Sequence, residues 1–432
     1  MTSTTTSTSI SVSQQPDKVF FTPADNVVLE VLYADIHNAQ FKGTKDGDEA
    51  PSEQHTAALK RLAGLNDAKH PSFQPTIFCA WDYDLNDLQN SRTVQEFILQ
   101  RYVKWARTVV RHETDVVFLS HILLYFTTAL PSATYLFYDF HFLHAFAHIV
   151  YIVWCSGAFT LMMHNHIHNN GVLSKKYAAF DWTFPYILEP LMGHTWDSYY
   201  YHHVKAHHVE GNGPDDLSTT ICYQRDSWRA FLHYEGRFLL LCWFDLPRYF
   251  IKKNKYNIAA RVAVTELSSY AMMAFLARVN FRPAFFVFIL PFIVLRIGLM
   301  IGNWGQHALV DDVDPDSDFR SSITLIDVPS NRFCFNDGYH TSHHLNPLRH
   351  WRDHPNAFLT AKERYSEEGA LVFQGIDYLE ITFRLLTKNY MYLAKKLVPM
   401  GSQIGMTEQE LAAMLKLKTR KFSEKEIAAK FK

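Results

Sequence analysis

The clearest pattern along the chain is a set of long apolar segments separated by polar ones. Residues 116–138 and 140–163 contain no Asp, Glu, Lys or Arg, and only Asp139 lies between them. A transmembrane helix needs about 20 apolar residues, each adding a rise of about 1.5 Å. The two segments therefore predict a hairpin of membrane-spanning helices that turns at Asp139. Their length and aromatic ends fit a membrane better than the alternative, two buried helices of a large soluble core.

A second pair of apolar segments is interrupted by charges. Residues 262–277 contain Glu266, and residues 283–303 contain Arg296. The turn between the two segments is formed by Arg278, Asn280, Arg282 and Pro283. A charged side chain within a span usually faces protein or a water-filled cavity. Because this pair is spaced like the first, it predicts a second hairpin with both charges turned inward.

Basic residues orient these hairpins. They precede the first span (Arg101, Lys104, Arg107, Arg111), follow the second (Lys175, Lys176) and precede the third (Lys252, Lys253, Lys255, Arg261). The two hairpin turns hold fewer basic residues. Loops rich in Lys and Arg stay in the cytoplasm, so we expect both termini and the loop between the hairpins on the cytoplasmic side.

Composition narrows the class of protein. A net charge of −1 argues against a nucleic-acid-binding protein, and a hydrophobic content of 48% excludes a disordered chain. The five cysteines form no CxxC pair, so neither a disulfide framework nor a thiolate zinc site is expected. The unusual feature is the histidine content, 23 residues.

Four regions follow from these patterns. Residues 1–21 are rich in Ser and Thr and are expected to form a disordered tail, followed by a cytoplasmic N-terminal region, 22–115. Residues 116–360 are expected to form the membrane catalytic domain, and 361–432 a cytoplasmic helical region. The predicted fold class is an all-α integral membrane protein: two transmembrane hairpins, about four spans, under a cytoplasmic helical cap.

Histidines cluster outside the predicted spans, and two of the clusters directly follow a span. The clusters are His164 and His168; His203, His207 and His208; His307 alone; and His340, His343 and His344. On an α-helix, residues three or four positions apart share one face at about 5–6 Å. Two imidazoles on one face can converge on a single first-row metal ion. A lone HxxxH is more often structural, but three clusters and a further histidine on one predicted membrane face indicate a metal site.

Another HxxxH pair lies inside the second span. His144 and His148 are at least 16 positions from His164, about 24 Å along a helix. We therefore expect these two histidines to lie toward the opposite leaflet, outside the metal site.

The order of the clusters and their placement around two hydrophobic hairpins resemble the membrane fatty-acid desaturase superfamily. In that family, histidine boxes on the cytoplasmic side bind two non-haem irons that activate O₂. The resemblance covers roughly residues 100–360. It implies the metal ligands His164, His168, His203, His207, His208, His307, His340, His343 and His344, with Asn303 as a possible ligand through water.

The second box departs from the family pattern. Desaturases usually have HxxHH at this position, whereas this chain has HxxxHH if His203 is its first member. His202 is an alternative start but lies off the expected face. The HxxxHH spacing is similar to that of the alkane and fatty-acyl hydroxylases of the same di-iron group. His166 is expected to point away from the other two residues of the first box.

The ligand chemistry supports two ions. Many imidazoles with few carboxylates suit Fe, Zn, Cu or Ni better than Mg or Ca. A structural zinc site is normally closed by four ligands, so nine histidines are too many for one ion.

Metal-bound imidazoles usually donate their second N–H to a carboxylate or carbonyl. Asp311, Asp312 and Asp337 are close enough in sequence to serve, although a solvated polar loop is an equal alternative.

The resemblance implies an O₂-dependent oxidoreductase that desaturates a long-chain acyl substrate entering from the bilayer. Hydroxylation by the same kind of centre is the first alternative, and a non-catalytic membrane receptor that keeps the fold is the second. The resemblance also implies an external electron donor, cytochrome b5 with its reductase or a ferredoxin, and a location in the endoplasmic reticulum. No haem-binding His-Pro-Gly-Gly element or GxGxxG motif occurs in the sequence.

Overall fold

The computed structural model describes residues 22–42, 53–78, 83–84 and 95–431, and the predicted tail, 1–21, lies outside these ranges. Within the described residues the protein is mostly helical, as predicted. Strands are few and short: they form one antiparallel and one parallel pair.

The N-terminal region contains two helices, α1 (Pro23–Lys42) and α2 (Glu53–Asn66). They are followed by the antiparallel pair β1 (Thr76–Phe78) and β2 (Tyr83–Asp84), a π-helical turn (Gln95–Leu99) and helix α3 (Gln100–Val109). The apolar side of α1 packs into a core cluster that includes Ile326, Tyr339 and Phe358. The N-terminal region is therefore packed against the segment that carries the third histidine box.

The first apolar segment forms two consecutive helices, α4 (Val116–Thr127) and α5 (Ala129–Tyr138). The break at Thr128 follows from Pro131, which has no N–H to donate to the carbonyl of Thr127 and whose ring crowds that carbonyl. The Oγ1 of Thr128 lies 2.6 Å from the hydroxyl of Tyr151 on the next helix.

Helix α6 (Phe142–Asn169) contains the second apolar segment and continues beyond it. Its 28 residues span about 42 Å, which is longer than the hydrocarbon core of a bilayer at about 30 Å. The first histidine box lies in the last turns of this helix. The box is therefore held rigidly at the end of a span rather than in a loop.

A polar segment connects α6 to the second half of the fold. It contains short helical turns (Ala178–Trp182, Phe184–Leu188, Glu189–Leu191), then helix α7 (Ser198–His202), a π-helix (His203–His207) and a final turn (His208–Glu210). The long helix α8 (Trp228–Lys252) follows and packs against α9 (Tyr256–Val279).

The last apolar segment runs through a short helix (Phe281–Ala284) and a π-helical turn (Phe285–Ile289) into α10 (Leu290–His307). Within the part of the chain that the structure describes, four stretches are long and apolar enough to cross a membrane: Val116–Tyr138, Phe142–Asn169, Tyr256–Val279 and Phe281–His307. Their positions agree with the four spans predicted from the sequence, although α9 and α10 extend several residues further.

The two charges predicted to face inward do so. Glu266 on α9 is fully buried and Arg296 on α10 is 7% exposed, and they pair at 2.9 Å. The Glu266 carboxylate also accepts a hydrogen bond at 2.7 Å from the hydroxyl of Thr195, and the backbone N–H of Trp196 donates to the Oγ of Ser269 at 2.9 Å. Glu266 and Ser269 on α9 thus accept hydrogen bonds from the irregular segment that leads into the second histidine box.

The C-terminal part wraps the third histidine box. A short helix (Asp318–Ser321) precedes strand β3 (Ile323–Ile326), which is followed by the turn Pro329–Phe333 and helix α11 (His340–Leu345). Further short helices (Trp351–Asp353, His354–Thr360, Lys362–Glu367) lead to strand β4 (Leu371–Gln374), which pairs with β3 in parallel. The chain continues with α12 (Tyr378–Leu386), α13 (Tyr390–Lys396), a 3₁₀ turn (Gly401–Gln403), α14 (Glu408–Leu417) and α15 (Glu424–Lys430).

Candidate metal centre

The first histidine box is built by the C-terminal end of α6. His164 and His168 lie one turn apart on the same face, with their ring centroids 4.6 Å from each other. His166 points elsewhere, as predicted: its ring stacks on Phe184 at 4.6 Å, and its Nδ1 lies 3.8 Å from Asp181.

The second box adopts a geometry that the sequence analysis did not predict. Residues His203–His207 form a π-helix, in which groups five positions apart come into register instead of four. The Nε2 atoms of His203 and His208 are 3.1 Å apart, whereas the ring centroids of His203 and His207 are 5.5 Å apart. The ring centroids of His203 and His208 are 4.6 Å apart, so His208 is the nearer of the two. His203 and His207 lie at about the expected 5–6 Å. Because the local helix is a π-helix, however, His207 also faces His307 and His344.

The third box lies on the short helix α11 between β3 and β4. The Nε2 of His343 is 2.9 Å from the Nε2 of His164 and 2.8 Å from that of His208. His344 turns the other way, with its ring 5.2 Å from His207 and 4.9 Å from His307. The third box is thus divided in the same way as the second.

The histidines form two adjacent groups. The first group, called here the five-histidine group, contains His164, His168, His203, His208 and His343; the second, the three-histidine group, contains His207, His307 and His344. In each group the candidate ligand atoms lie within 4.8 Å of one another. His340 lies beside the second group, with its Nε2 3.0 Å from that of His307. The structure therefore brings together all nine histidines that the sequence singled out.

The distances between these nitrogens fit bound metal ions. Two nitrogens that each lie about 2.1 Å from one ion, at right angles, are about 3.0 Å apart. The observed Nε2–Nε2 separations are 2.8–3.1 Å. Among the described residues, the buried Nε2 atoms of His168 and His344 have no hydrogen-bond partner. An ion in each group would satisfy these atoms.

The protonation state also suits ligation. Burial lowers the pKa of His203, His208, His340 and His343 well below 6.5, and the neighbouring histidines lower it further. These four imidazoles are therefore neutral at physiological pH, and a neutral imidazole has a free lone pair for a metal ion.

Asn303, the possible ligand through water, belongs to neither group. Its Nδ2 donates to the hydroxyl of Tyr234 at 2.7 Å and to the carbonyl of Ser218 at 3.0 Å. It lies on α10, four residues before His307, and its assignment as a ligand stays a prediction.

The carboxylates beside the site differ from those expected. Asp311 pairs with Lys418 at 2.7 Å and with Arg320 at 3.2 Å, and Asp312 pairs with Arg420, so these two acids are held by cations. Asp216 instead accepts from the Nδ1 of His207 at 2.8 Å. Asp318 has a carboxylate oxygen 3.4 Å from the Nδ1 of His344.

Asp337, the third expected carboxylate, lines a small, partly open cavity at the site. The cavity is also lined by His164, His168 and His343, together with Arg349. Burial raises the pKa of Asp337 to about 7, with a further contribution from Asp377. A carboxyl group thus shares a small cavity with members of the five-histidine group.

The remaining histidines lie outside both groups. His144 and His148 each contact the Oγ of Ser132, at 2.8 and 2.9 Å, so the expectation that they do not share the site holds. His202 places its ring edge-on to Phe238, which supports His203 as the first member of the second box. His194 lies 3.3 Å from the Oγ1 of Thr160.

Sequence reasoning missed two neighbours of the ligands. Tyr199 stacks on His203, with ring centroids 5.2 Å apart and planes inclined by 25°. It lies four positions before His203, a spacing that could have indicated the contact. The backbone N–H and the hydroxyl of Ser218 both donate to Asp216 at 2.9 Å, and no pattern in the sequence signals this arrangement.

Two adjacent groups of buried and half-buried histidines define a candidate site for two metal ions. His164, His168 and His307 lie at the ends of helices able to cross a membrane, which makes the chain a membrane protein. The family model described as fatty acid desaturase matches residues 140–375, more than half of the chain. The protein therefore belongs to the fatty acid desaturase family. No curated protein and no solved structure matches the chain.

Proposed function

We propose that this protein is a membrane di-iron enzyme that uses O₂ to introduce a double bond into a long acyl chain. The observation that carries the proposal is the pair of adjacent histidine groups, placed where membrane-length helices end in a chain of the desaturase family. Iron bound there would activate O₂, which is the oxidant: the substrate loses two hydrogen atoms, the external donor supplies two electrons together with two protons, and O₂ leaves as two waters.

The residues of the chain provide the setting for this chemistry. Imidazoles alone fill both groups, and the five-histidine group offers more nitrogens than the other, so the two ions would have unequal surroundings. Asp216 accepts from the Nδ1 of His207 and thereby fixes the ring so that its Nε2 faces the site. Asp318 is placed to do the same for His344.

Hydroxylation by the same centre is the second candidate. The observation that favours it is the HxxxHH spacing of the second box. However, the π-helix at His203–His207 absorbs the extra residue, because a π-turn brings the first and last histidines together across five positions. In an HxxHH box the first and last histidines are four positions apart, and one turn of an α-helix brings them together. Because the π-helix gives the HxxxHH box the same convergence as an HxxHH box, the spacing is only weak support for hydroxylation.

The proposal includes the wider setting. The histidine groups would face the cytosol from a multi-pass protein of the endoplasmic reticulum, and electrons would come from cytochrome b5 with its reductase or from a ferredoxin. A non-catalytic receptor that keeps the fold is disfavoured by the complete set of nine histidines. A chain released from catalysis would have no reason to keep them all.

Mass spectrometry of lipids from a host that expresses the chain, with an electron donor supplied, tests the proposal. We expect a new lipid lighter by two hydrogen atoms, absent with the variant His343→Ala/His344→Ala. The control is His141→Ala, because His141 is exposed and pairs only with Asp139 in the hairpin turn. A product heavier by one oxygen atom would establish hydroxylation instead. Purified protein that binds no iron would overturn both readings.

A further inference from the structure

A carboxylate on the first helix reaches the third histidine box. Asp25 lies in the first turn of α1 and is fully buried. Its Oδ1 accepts a hydrogen bond from the hydroxyl of Tyr339 at 2.7 Å, and its Oδ2 accepts one from the backbone N–H of Asp327 at 3.1 Å. The Nδ2 of Asn331 lies 3.1 Å from both oxygens.

Asn331 extends these contacts to the residue before Tyr339. Its Oδ1 accepts from the backbone N–H of Gly338 at 2.8 Å, and its Nδ2 also donates to the carbonyl of Leu325 at 3.0 Å. A side chain at position 338 would collide with both Asn331 and Leu325, so only glycine fits. Gly338 and Tyr339 are thus held on two sides, directly before the first histidine of the box.

The buried carboxylate of Asp25 faces three hydrogen-bond donors: the hydroxyl of Tyr339, the backbone N–H of Asp327 and the Nδ2 of Asn331. Burying a carboxylate is unfavourable unless hydrogen bonds compensate for the lost water. Burial raises the pKa of Asp25 to about 6, although its hydrogen bonds act in the opposite direction. An asparagine at this position would place its N–H group against one of these three donors, so the surroundings fit a carboxylate better than its amide.

We propose that Asp25 is a positioning residue for the third histidine box. It holds Tyr339 directly and Gly338 through Asn331, and this sets the start of α11 so that the Nε2 of His340 faces that of His307 at 3.0 Å. The inference rests on the proposed two-metal site. By this inference the N-terminal helix α1 helps to build that site, although it lies outside the residues matched by the family model.

The test is iron binding by the full-length protein in detergent, freed of metal and then titrated with Fe²⁺ alone without oxygen. The variants are Asp25→Asn and Tyr339→Phe, with Glu30→Gln as the control. Glu30 is a carboxylate on the same helix, but it pairs with Arg61 at the surface. Placing each change in a His203→Ala/His208→Ala background isolates the three-histidine group, because both removed histidines belong to the other group.

We expect wild-type protein to bind two ions, and Asp25→Asn to weaken one of them about tenfold, as removal of a supporting contact typically does. Tyr339→Phe should act in the same direction, and Glu30→Gln should bind like wild type. Unchanged iron affinity in both Asp25→Asn and Tyr339→Phe, with only a lower unfolding temperature, would overturn the inference. If Asp25→Asn does not fold, Tyr339→Phe decides. Wild-type protein that binds no iron would instead overturn the proposed function.

Discussion

His203 and His208 bring their Nε2 atoms to 3.1 Å although five positions separate them. In an α-helix this spacing would turn the two rings about 140° apart, since each residue advances about 100°. The π-helix corrects the angle and leaves His207 to face His307 and His344. One short helical irregularity thus decides how a single histidine box is shared between two candidate metal positions.

This division predicts which double variants lose which metal. We expect His203→Ala/His208→Ala to retain about one ion per chain, since both histidines belong to the five-histidine group. His203→Ala/His207→Ala should weaken both positions, because it removes one histidine from each group. Titration with Fe²⁺, followed as metal bound per chain, distinguishes the two. His148→Ala serves as the control, and the opposite pattern would show that the second box is α-helical.

Asp216 should support one metal position selectively. Its carboxylate lies 2.8 Å from the Nδ1 of His207, and loss of such a contact typically weakens metal binding 10- to 100-fold. We expect Asp216→Asn to weaken one ion by about that factor and to leave the other unchanged. The matched control is Asp215→Asn, since Asp215 is exposed and pairs with Lys253 at 3.0 Å. Equal weakening at both positions would contradict the assignment.

Loss of the buried ion pair between Glu266 on α9 and Arg296 on α10 should destabilise the protein more than loss of an exposed charge. Arg296→Met leaves Glu266 buried without its cation, and breaking such a pair typically costs about 3 kcal/mol or more. We expect a lower unfolding temperature in detergent, partly recovered in Glu266→Gln/Arg296→Met, which has no unpaired charge. Arg278→Met, at an exposed position in the last turn of α9, should behave like wild type. A double variant no more stable than Arg296→Met alone would contradict this account.

Acid should destabilise the metal-free protein through its buried histidines. Burial lowers the pKa of His354 to about 3, with a smaller effect of Arg349, whereas the unfolded value is 6.5. Below pH 6.5 the unfolded chain takes up a proton that the folded protein does not. The stabilising contribution is therefore present above pH 6.5 and is lost as the pH falls, by up to about 1.4 kcal/mol per pH unit.

The variant His354→Asn isolates this effect. Asparagine can keep a contact with the Oγ of Ser342, which lies 3.0 Å from the Nδ1 of His354. We expect acidification from about pH 7.5 to 5.5 to lower the unfolding temperature of wild-type protein more than that of the variant. The exposed His141 provides the control His141→Asn. Identical pH profiles for wild type and His354→Asn would contradict the shifted pKa.

Much of the fold could be predicted from the sequence because apolar length is a direct physical requirement of a membrane span. The absence of charge in residues 116–138 and 140–163 was sufficient to predict two membrane-length helices. The inward orientation of Glu266 and Arg296 followed from the cost of exposing a charge to lipid. The break at Thr128 could also have been predicted, since Pro131 is visible in the sequence.

The parts of the site that escaped prediction depend on long-range packing. The spacing of the histidines identified the residues that come together. It did not predict the π-helix at His203–His207, because no residue in that segment indicates one. Asp311 and Asp312 were expected to accept hydrogen bonds from metal-bound histidines because they are close to His307 in sequence. In the structure they pair instead with Lys418 and Arg420, about 108 positions later. Asp25 had no local signal at all, because its partner Tyr339 is 314 positions away.

The 314 positions between Asp25 and Tyr339 determine when their contact can form during synthesis of the chain. Chains emerge from the ribosome N-terminus first, at about 5–20 residues per second, so α1 leaves the ribosome long before Tyr339 exists. The parallel pairing of β3 with β4, which encloses the third box, also requires residues up to Gln374. Neither contact can form until the membrane helices have been made. Assembly of the complete site would accordingly wait until residues up to Gln374 have been made, and the growing chain would pass through a stage in which its first two histidine boxes are present without the third.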